Sequence, residues 1–461
     1  MQAEPDHISP SVSPASSSLL ASSSESPIAP PDPPAPAGLV LAPFRALRYA
    51  AAPDDLSTLT SPPYDVIDAD GVAALEASND HNIVRLILPR DPAADGQADD
   101  DTQPDRYARA RSTLQEWRNA GILRPDDVPA LYVYELADTR GGHVQRGLVG
   151  ALALTPPEDE IVLPHENTMA GPVSDRLALY TAVDADLEPI FLVYDGGGAA
   201  SVAVAGAESA PPLVDQLLPD GLRHRIWALT DPTQLADIAA DLHDRKALIA
   251  DGHHRYATYL TRQAQRHAAG HGTGAWDFGL TFLVDATAFG PQVHPIHRVI
   301  PGHAPAALAS LATAGMRVQQ VSGDLPAALR ALSEAATGPA FVVTDGETSW
   351  LLDQPDPTAL AAALPDHSDA WKSLDVSVLH GYVVPALWSL ADTVDTVGYE
   401  HDVDAALAAA RRTGGTAVLL NPTPVTAVAA VAAGGERMPR KSTLFTPKPR
   451  TGLLIRDHRD A

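Results

Sequence analysis

A mixed α/β fold is predicted by three features of the chain. Strand and helix signals alternate along it, short apolar runs are bounded by glycine or proline, and two helix starts are marked by an Asp-Pro or Thr-Pro pair. With 461 residues it is long enough for two or more domains.

The elements follow in order. Residues 1–37 are rich in Ser, Pro and Ala and cannot bury enough apolar surface to offset their ordering entropy, so they are expected to form a disordered tail. They lack a basic start followed by an apolar core and are therefore not read as a signal peptide. Folded sequence begins near Gly38. Leu131–Glu135 and Gly147–Leu152 flank the Gly141-Gly142 turn, the pattern of a long β-hairpin. Pro189–Tyr194 and Leu280–Val284 read as buried strands. Asp231 and Pro232 form an N-cap and first-turn pair, after which Leu235, Ile238 and Leu242 share one helical face. Ala417–Leu420 reads as a strand, and Thr423-Pro424 opens a helix that stops at Gly434-Gly435. Asp91–Asp105, which is acidic, and Gly196–Ala210, which is Gly/Ala-rich, are expected to be exposed loops. Trp117, Trp227, Trp276 and Trp388 are assigned to the core or its edge, and the faces around Val378, Leu379, Tyr382 and Leu387 to helix packing. Three regions result: the tail, a catalytic region over 38–300, and a C-terminal α/β region over 301–461 with a basic end segment.

Composition narrows the function. With 58 acids against 32 bases the net charge is −26, so the average surface repels a nucleic-acid backbone and no nucleic-acid partner is expected. No cysteine is present, which excludes disulfides, thiolate metal sites and cysteine nucleophiles and fits a cytoplasmic protein. No run of about 18 apolar residues occurs, so no membrane span is expected.

The sharpest local feature is a short apolar strand, Lys246–Ala250, then Asp251-Gly252-His253-His254-Arg255, then a helix. The first turn of a helix carries unpaired N–H groups and positive partial charge, which suits an anion. Gly252 lets backbone approach closely, His253 and His254 add donors, and Arg255 can hold two phosphate oxygens at once. Asp251 suits Mg²⁺ or a substrate hydroxyl. A capped helix start with two idle histidines is the plainer alternative; the strand–turn–helix setting and the trailing Arg255 favour the phosphate grip. A zinc site finds less support, because adjacent histidines at a helix start seldom point at one ion.

This turn resembles the phosphate-binding signature of the ParB/sulfiredoxin-like fold, in the form carried by free L-serine kinases, which phosphorylate serine to O-phosphoserine. The resemblance implies a ParB/sulfiredoxin-like catalytic core over residues 38–300. Sulfiredoxin activity is excluded by the missing cysteine, and neither the basic turn nor the helical DNA-binding domain of the DNA-partitioning branch is seen. From about Leu41 to Ile455 the chain also resembles a widespread prokaryotic family of unknown function, sometimes encoded beside serine-biosynthesis enzymes. The blocks that carry this are Pro63–Ile67, His165–Thr168 with Asp175-Arg176, Asp251–Arg255, His294–Arg298, Leu420–Thr423 and Met438–Lys448 with Thr451–Leu453. Val173 stands where the family pattern leads one to expect a lysine.

Other candidates complete the site. His165 and Glu166 set a carboxylate beside an imidazole, suited to taking a hydroxyl proton, with Asp175 and Arg176 placed to orient it; an ordinary loop before a capped helix would look the same. Arg437, Lys441, Ser442, Thr443 and Lys448 form a dense donor cluster that could neutralise a phosphate donor, although the glycine lead-in of a P-loop is missing. His297 and Arg298 are weaker candidates of the same kind. The expectation is a kinase with a small hydroxyl substrate, free L-serine being the acceptor implied by the resemblance, and ATP, ADP or pyrophosphate as donor. Glu166, Asp251 and His253 would be catalytic, Gly252, His254 and Arg255 would grip phosphate, and Mg²⁺ would bridge donor oxygens. A non-catalytic nucleotide-binding regulator is the alternative; a ParB-like nuclease is a third reading that the charge opposes. Oligomeric state is left open.

Deleting residues 1–37 is expected to change unfolding free energy by less than about 1 kcal/mol, the size of a typical single substitution. Thermal melts of the two chains check this, and a larger loss would tie the segment to the folded body.

Overall fold

The computed structural model describes residues 37–50, 56–90, 105–335 and 338–460. Residues 1–36 of the expected tail and the acidic stretch up to residue 104 lie outside the described residues, and Asp105 itself opens a helix.

The architecture is mixed α/β. Among the described residues, nine strands form the larger sheet: β1 (Leu41–Ala42), β2 (Leu131–Asp138), β3 (Val144–Ala153), β4 (Val162–Leu163), β5 (Ile190–Tyr194), β6 (Val214–Leu217), β7 (Leu222–Leu229), β8 (Ala247–Asp251) and β9 (Phe278–Asp285). They lie side by side as β4-β8-β5-β9-β3-β2-β7-β6, with β1 paired to β3. The pairs β4–β8 and β5–β9 are parallel, the others antiparallel. A smaller antiparallel sheet follows, with β10 (His297–Ile300), β11 (Arg317–Val321), β12 (Ala340–Thr344), β13 (Ser349–Asp353), β14 (Gly398–Glu400) and β15 (Thr416–Leu420) in the order β11-β13-β12-β15-β10-β14. The main helices are α1 (Asp105–Asn119), α2 (Ala170–Val183), α3 (Gly198–Gly206), α4 (Pro232–His243), α5 (His253–Ala268) and α6 (Val425–Ala433).

Local chemistry explains these elements. The hairpin β2–β3 turns through Gly142, at φ +73°, whose N–H donates to Asp138 O, and the Asp138 carboxylate accepts from Arg140 N. Strands β5 and β9 are apolar along almost their whole length because both faces are covered, as parallel neighbours require. Helix α4 starts where expected: Asp231 Oδ1 accepts from Gln234 N at 2.9 Å, Pro232 fills the first turn, and Ile238 and Leu242 are buried. Helix α6 likewise begins after Pro424 and ends at Gly434. Trp117, Trp227 and Trp388 are buried, and Trp276 lies at the edge.

One expectation is corrected. Gly196–Ala210 is not an exposed loop: residues 198–206 are α3, followed by a turn of 3-10 helix. Ala200, Ala203, Val204 and Ala207 are spaced three and four apart and are buried. Small residues at helical spacing were masked by the flanking glycines, which merely reverse the chain into the helix.

In the smaller sheet, alternate residues face two apolar layers. Phe341, Val343, Val418 and Leu420 join the main core, while Ala340, Val342, Ala417 and Leu419 pack in a second cluster on the other face. The main core runs without a break from Leu39 to Ile455. After α6 the chain returns to the larger body: Leu444–Thr446 pairs with Gln292–His294, and Arg456–Asp457 pairs with Ala185–Asp186.

That return is pinned by the buried carboxylate of Asp186, which accepts from Arg262 at 2.8 Å, from Arg456 at 2.8 Å and lies 3.2 Å from His458 Nε2. Burial alone would raise the Asp186 carboxyl, but Arg262, His458 and Arg456 together hold it well below the usual range. A depressed carboxylate stabilises the fold above its unfolded pKa of about 3.9, and the gain is lost as pH falls. Asp186→Ala is expected to cost about 3–5 kcal/mol near neutral pH, because it leaves two buried cations uncompensated. Urea unfolding from pH 7 down to about 3 should show the gap to the parent chain narrowing below pH ~4; a pH-independent gap would refute the electrostatic account.

Candidate active site

Strand β8 delivers Asp251, Gly252 turns the chain, and α5 begins at His253. Gly252 has φ +95°, and a Cβ there would sit 3.1 Å from the side chains of both Arg255 and Ile190, so the turn requires glycine twice over. The first intrahelical bond runs from Tyr256 N to Gly252 O, which leaves the N–H groups of His253, His254 and Arg255 in the unpaired first turn. The strand feeding this turn lies between β5 and the two-residue edge strand β4, next to the sheet edge rather than at its centre.

The side chains of the turn go separate ways. Asp251 Oδ2 accepts from Arg255 at 2.5 Å, and its Oδ1 lies 2.6 Å from Lys448 Nζ. Lys448 also donates to Asp65 Oδ2 at 2.7 Å, so one ammonium bridges two carboxylates. Arg255 was expected to grip phosphate, but it is 2% exposed and its other amino group donates to Pro189 O. Its helical phase carries it inward, where it neutralises Asp251. His253 also differs from the catalytic role expected of it. Its buried Nε2 accepts the backbone N–H groups of His165 and Glu166, at 3.2 and 3.3 Å. Burial drives its pKa well down, keeping the ring a neutral acceptor. His254 Nε2 accepts from Met169 N at 3.0 Å. The two histidines thus hold the loop 165–169 against the start of α5.

The segment after α6 closes over the same place. Met438 N donates to His165 O, Arg437 donates to Pro164 O, and Thr443 Oγ1 lies 2.9 Å from His165 Nε2. Burial pushes the His165 ring down to about 3, so it too is neutral. Ser442 N donates to Glu166 Oε1 at 3.4 Å, a long contact. Glu166 has no ion pair among the described residues; burial raises its pKa, with Asp251 adding and Ser442 N, Lys441 and Lys448 opposing. Ser442 is buried, its hydroxyl bonded to Pro439 O. Lys441 is exposed and adopts φ +55°, a left-handed conformation that costs a lysine about 1–3 kcal/mol and is held by its neighbours.

Asp175 and Arg176 do not orient Glu166 as expected. They pair with each other at 2.5 Å; Asp175 also takes Arg106, and Arg176 donates to Ile87 O. His297 and Arg298 are buried, His297 accepting from Leu420 N and Arg298 bonding to His380 and to the carbonyl of Lys441. Neither side chain is open to a ligand. Val173 lies in α2, and its carbonyl accepts from Thr258 Oγ1.

Sequence reasoning passed over Asp65, Tyr64 and Glu188 as site residues. Tyr64 N donates to the buried Glu188 carboxylate, and its ring lies 4.4 Å from the Arg176 guanidinium. Burial raises Glu188, against the pull of Arg255 and Arg176. The Pro63–Ile67 block was the available signal, but nothing local links Asp65 to a lysine 383 residues away.

The family described as Protein of unknown function (DUF1015) matches residues 41–377. This chain belongs to the DUF1015 family. No curated protein matches it. Among solved structures, a free serine kinase variant in complex with ADP is 12% identical, with 65% of this chain and 91% of that one covered and a TM-score of 0.34. SbnI with a C-terminal truncation from Staphylococcus aureus is 11% identical, with 67% and 87% covered and a TM-score of 0.33. A conserved hypothetical protein from Pyrococcus furiosus is 13% identical, with 69% and 98% covered and a TM-score of 0.32. Among the described residues of this DUF1015 chain no helix is long and apolar enough to cross a membrane, and no group of three or more His, Cys, Asp or Glu could hold a metal ion alone.

Glu166, Asp251, Asp65, His254, Lys441 and Lys448 therefore share one electrostatic neighbourhood at a helix start. Such a set offers a carboxylate of raised basicity beside two lysines and free backbone N–H groups. If His253 holds the Glu166 loop, His253→Ala leaves the buried His165 N–H unpaired at about 1–3 kcal/mol and releases the part-buried Glu166 N–H as well. Hydrogen exchange should then quicken at residues 165–169 more than in the core of α5; equal change in both would mean a general loss of stability.

Proposed function

We propose that this protein is a phosphotransferase that moves a phosphoryl group from a phosphate donor to a small hydroxyl compound, with free L-serine the first acceptor to test. The observation that carries this reading is Glu166: a carboxylate with no ion pair among the described residues, made more basic by burial, beside Lys441, Lys448 and the first turn of α5. In the proposed step the acceptor O–H proton passes to Glu166 as the O–P bond forms, and the donor's P–O bond breaks. The leaving group is ADP, AMP or inorganic phosphate for ATP, ADP or pyrophosphate respectively. Lys441, Lys448 and the N–H groups of residues 253–255 would hold the phosphate oxygens, where charge builds in the transition state. Arg255 and His253 support this from behind, as positioning residues.

Asp65 and Asp251 converge on one cation, the Lys448 ammonium, and are the residues that would hold Mg²⁺ in its place. Bound there, the ion would supply neutralisation of negative charge on the phosphate donor.

Purified protein incubated with Mg²⁺, L-serine and each donor in turn should yield O-phosphoserine with at least one. No phosphorylated product from serine or a panel of small alcohols would overturn the reading. Glu166→Gln keeps shape while removing basicity and is expected to lower turnover by about 10²–10⁴-fold with donor affinity retained. Because burial raises the carboxyl, kcat should fall on the acid side with a midpoint above the ordinary glutamate value, and this limb should vanish in the variant.

A further inference from the structure

The buried guanidinium of Arg298 does something the proposed reaction has not used. It lies on β10, between β15 and the edge strand β14 of the smaller sheet, yet its hydrogen bonds reach the loop that faces Glu166. Its Nη2 donates to Lys441 O at 2.9 Å and to Arg440 O at 3.3 Å, and its Nη1 donates to Ile296 O. Its Nε donates to His380 Nε2 at 2.8 Å, and His380 Nδ1 lies 3.0 Å from Asp392 Oδ1. The tautomer is dictated by these partners. Arg298 has only donors, so His380 Nε2 must be the acceptor and Nδ1–H must donate to Asp392. Arg298 makes no ion pair among the described residues, sits 4.6 Å from the Tyr399 ring, and is 0% exposed. A buried cation satisfied by neutral acceptors is costly to keep, and burial lowers its pKa to about 10.

We propose that Asp392, His380 and Arg298 form a positioning relay through which the smaller sheet holds the Arg440–Ser442 loop, and with it Lys441 and the Ser442 N–H that meets Glu166. The inference rests on the phosphotransferase reading for its purpose, not for its mechanics. Two features of the loop need such support. Lys441 has a left-handed backbone that a lysine does not adopt unaided, and Ser442 N makes its bond to Glu166 at the long distance of 3.4 Å. The relay is also sensitive to acid. Protonated His380 would point an N–H at Arg298 Nε and break the contact. Burial holds the His380 ring below the ordinary histidine value; of the charged and titratable groups facing it, Asp392 favours protonation, Arg298 and Arg440 oppose it, and the Tyr399 ring is stacked 6.3 Å away.

Hydrogen exchange of the peptide spanning residues 438–446 in the unliganded full chain tests the relay without any turnover assay. His380→Phe should lower its protection by about ten- to a hundredfold at neutral pH, the loss of one bond to a charged group. His380→Gln keeps an acceptor and cannot titrate, so its protection should match the parent chain and persist in acid, where the parent loses it. Asp392→Ala also removes a carboxylate 3.7 Å from the Arg440 guanidinium, so Asp392→Asn, which keeps an acceptor for His380 Nδ1–H, is its control and should loosen the peptide less than Asp392→Ala. Unchanged protection in both His380→Phe and Asp392→Ala, with β12 and β15 equally protected in all chains, would overturn the inference. Loosening of the peptide in a chain that phosphorylates nothing would sustain the relay and sink the phosphotransferase reading instead.

Discussion

The carboxylate of Asp251 is the interaction on which the site depends. One oxygen faces Arg255, a guanidinium buried four residues later in the helix that Asp251 precedes; the other faces Lys448, which arrives from the far end of the fold. A strand end, a helix start and a returning segment are joined by a single side chain. Asp65 adds a second negative charge on the same lysine. Of this set Arg255 alone is buried, and Asp251 is its ionic partner; a buried guanidinium stripped of that partner would cost about 3–5 kcal/mol.

What the sequence made legible follows from range. The β2–β3 hairpin, α4 and α6 were readable because their signals are local: alternation around a glycine turn, an Asp-Pro start, a Gly-Gly stop. The strand–turn–helix around Gly252 was legible for the same reason. The direction of each side chain was not. Nothing in Asp-Gly-His-His-Arg says that Arg255 turns inward or that His253 faces a loop 87 residues earlier, since helical phase is set by what the helix packs on. Helix α3 was misread because glycines on both sides of an alanine run look like a loop. Asp65 was missed because its partner is distant in sequence and pairs of charges carry no periodicity.

The acidity of the chain takes on meaning at this site. With 32 basic residues against 58 acidic ones, cations are scarce, and the interior takes up several of them: Arg146, Arg176, Arg255, Arg262, Arg298 and Arg456 are all nearly or fully buried. All of these guanidiniums serve architecture. The two lysines differ from them: Lys441 is exposed, and Lys448 is shared between Asp65 and Asp251. Arginine's rigid fork suits the fixed internal geometry, whereas a lysine on a flexible stem can leave one partner for another.

The late return of the chain sets an order of events during synthesis. A polypeptide emerges from the ribosome N-terminal end first, and its early regions begin to fold before later ones exist. Asp186, Asp251 and Asp65 are made long before Arg456 and Lys448, the cations that neutralise them. Until residues 438–457 have been translated and docked, the carboxylates of Asp65, Asp186 and Asp251 lack part of their partners. The last steps of maturation therefore join closure of the core to assembly of the site. A nascent chain that stalls before residue 438 would lack both the last core residues and the lysine that joins Asp65 to Asp251.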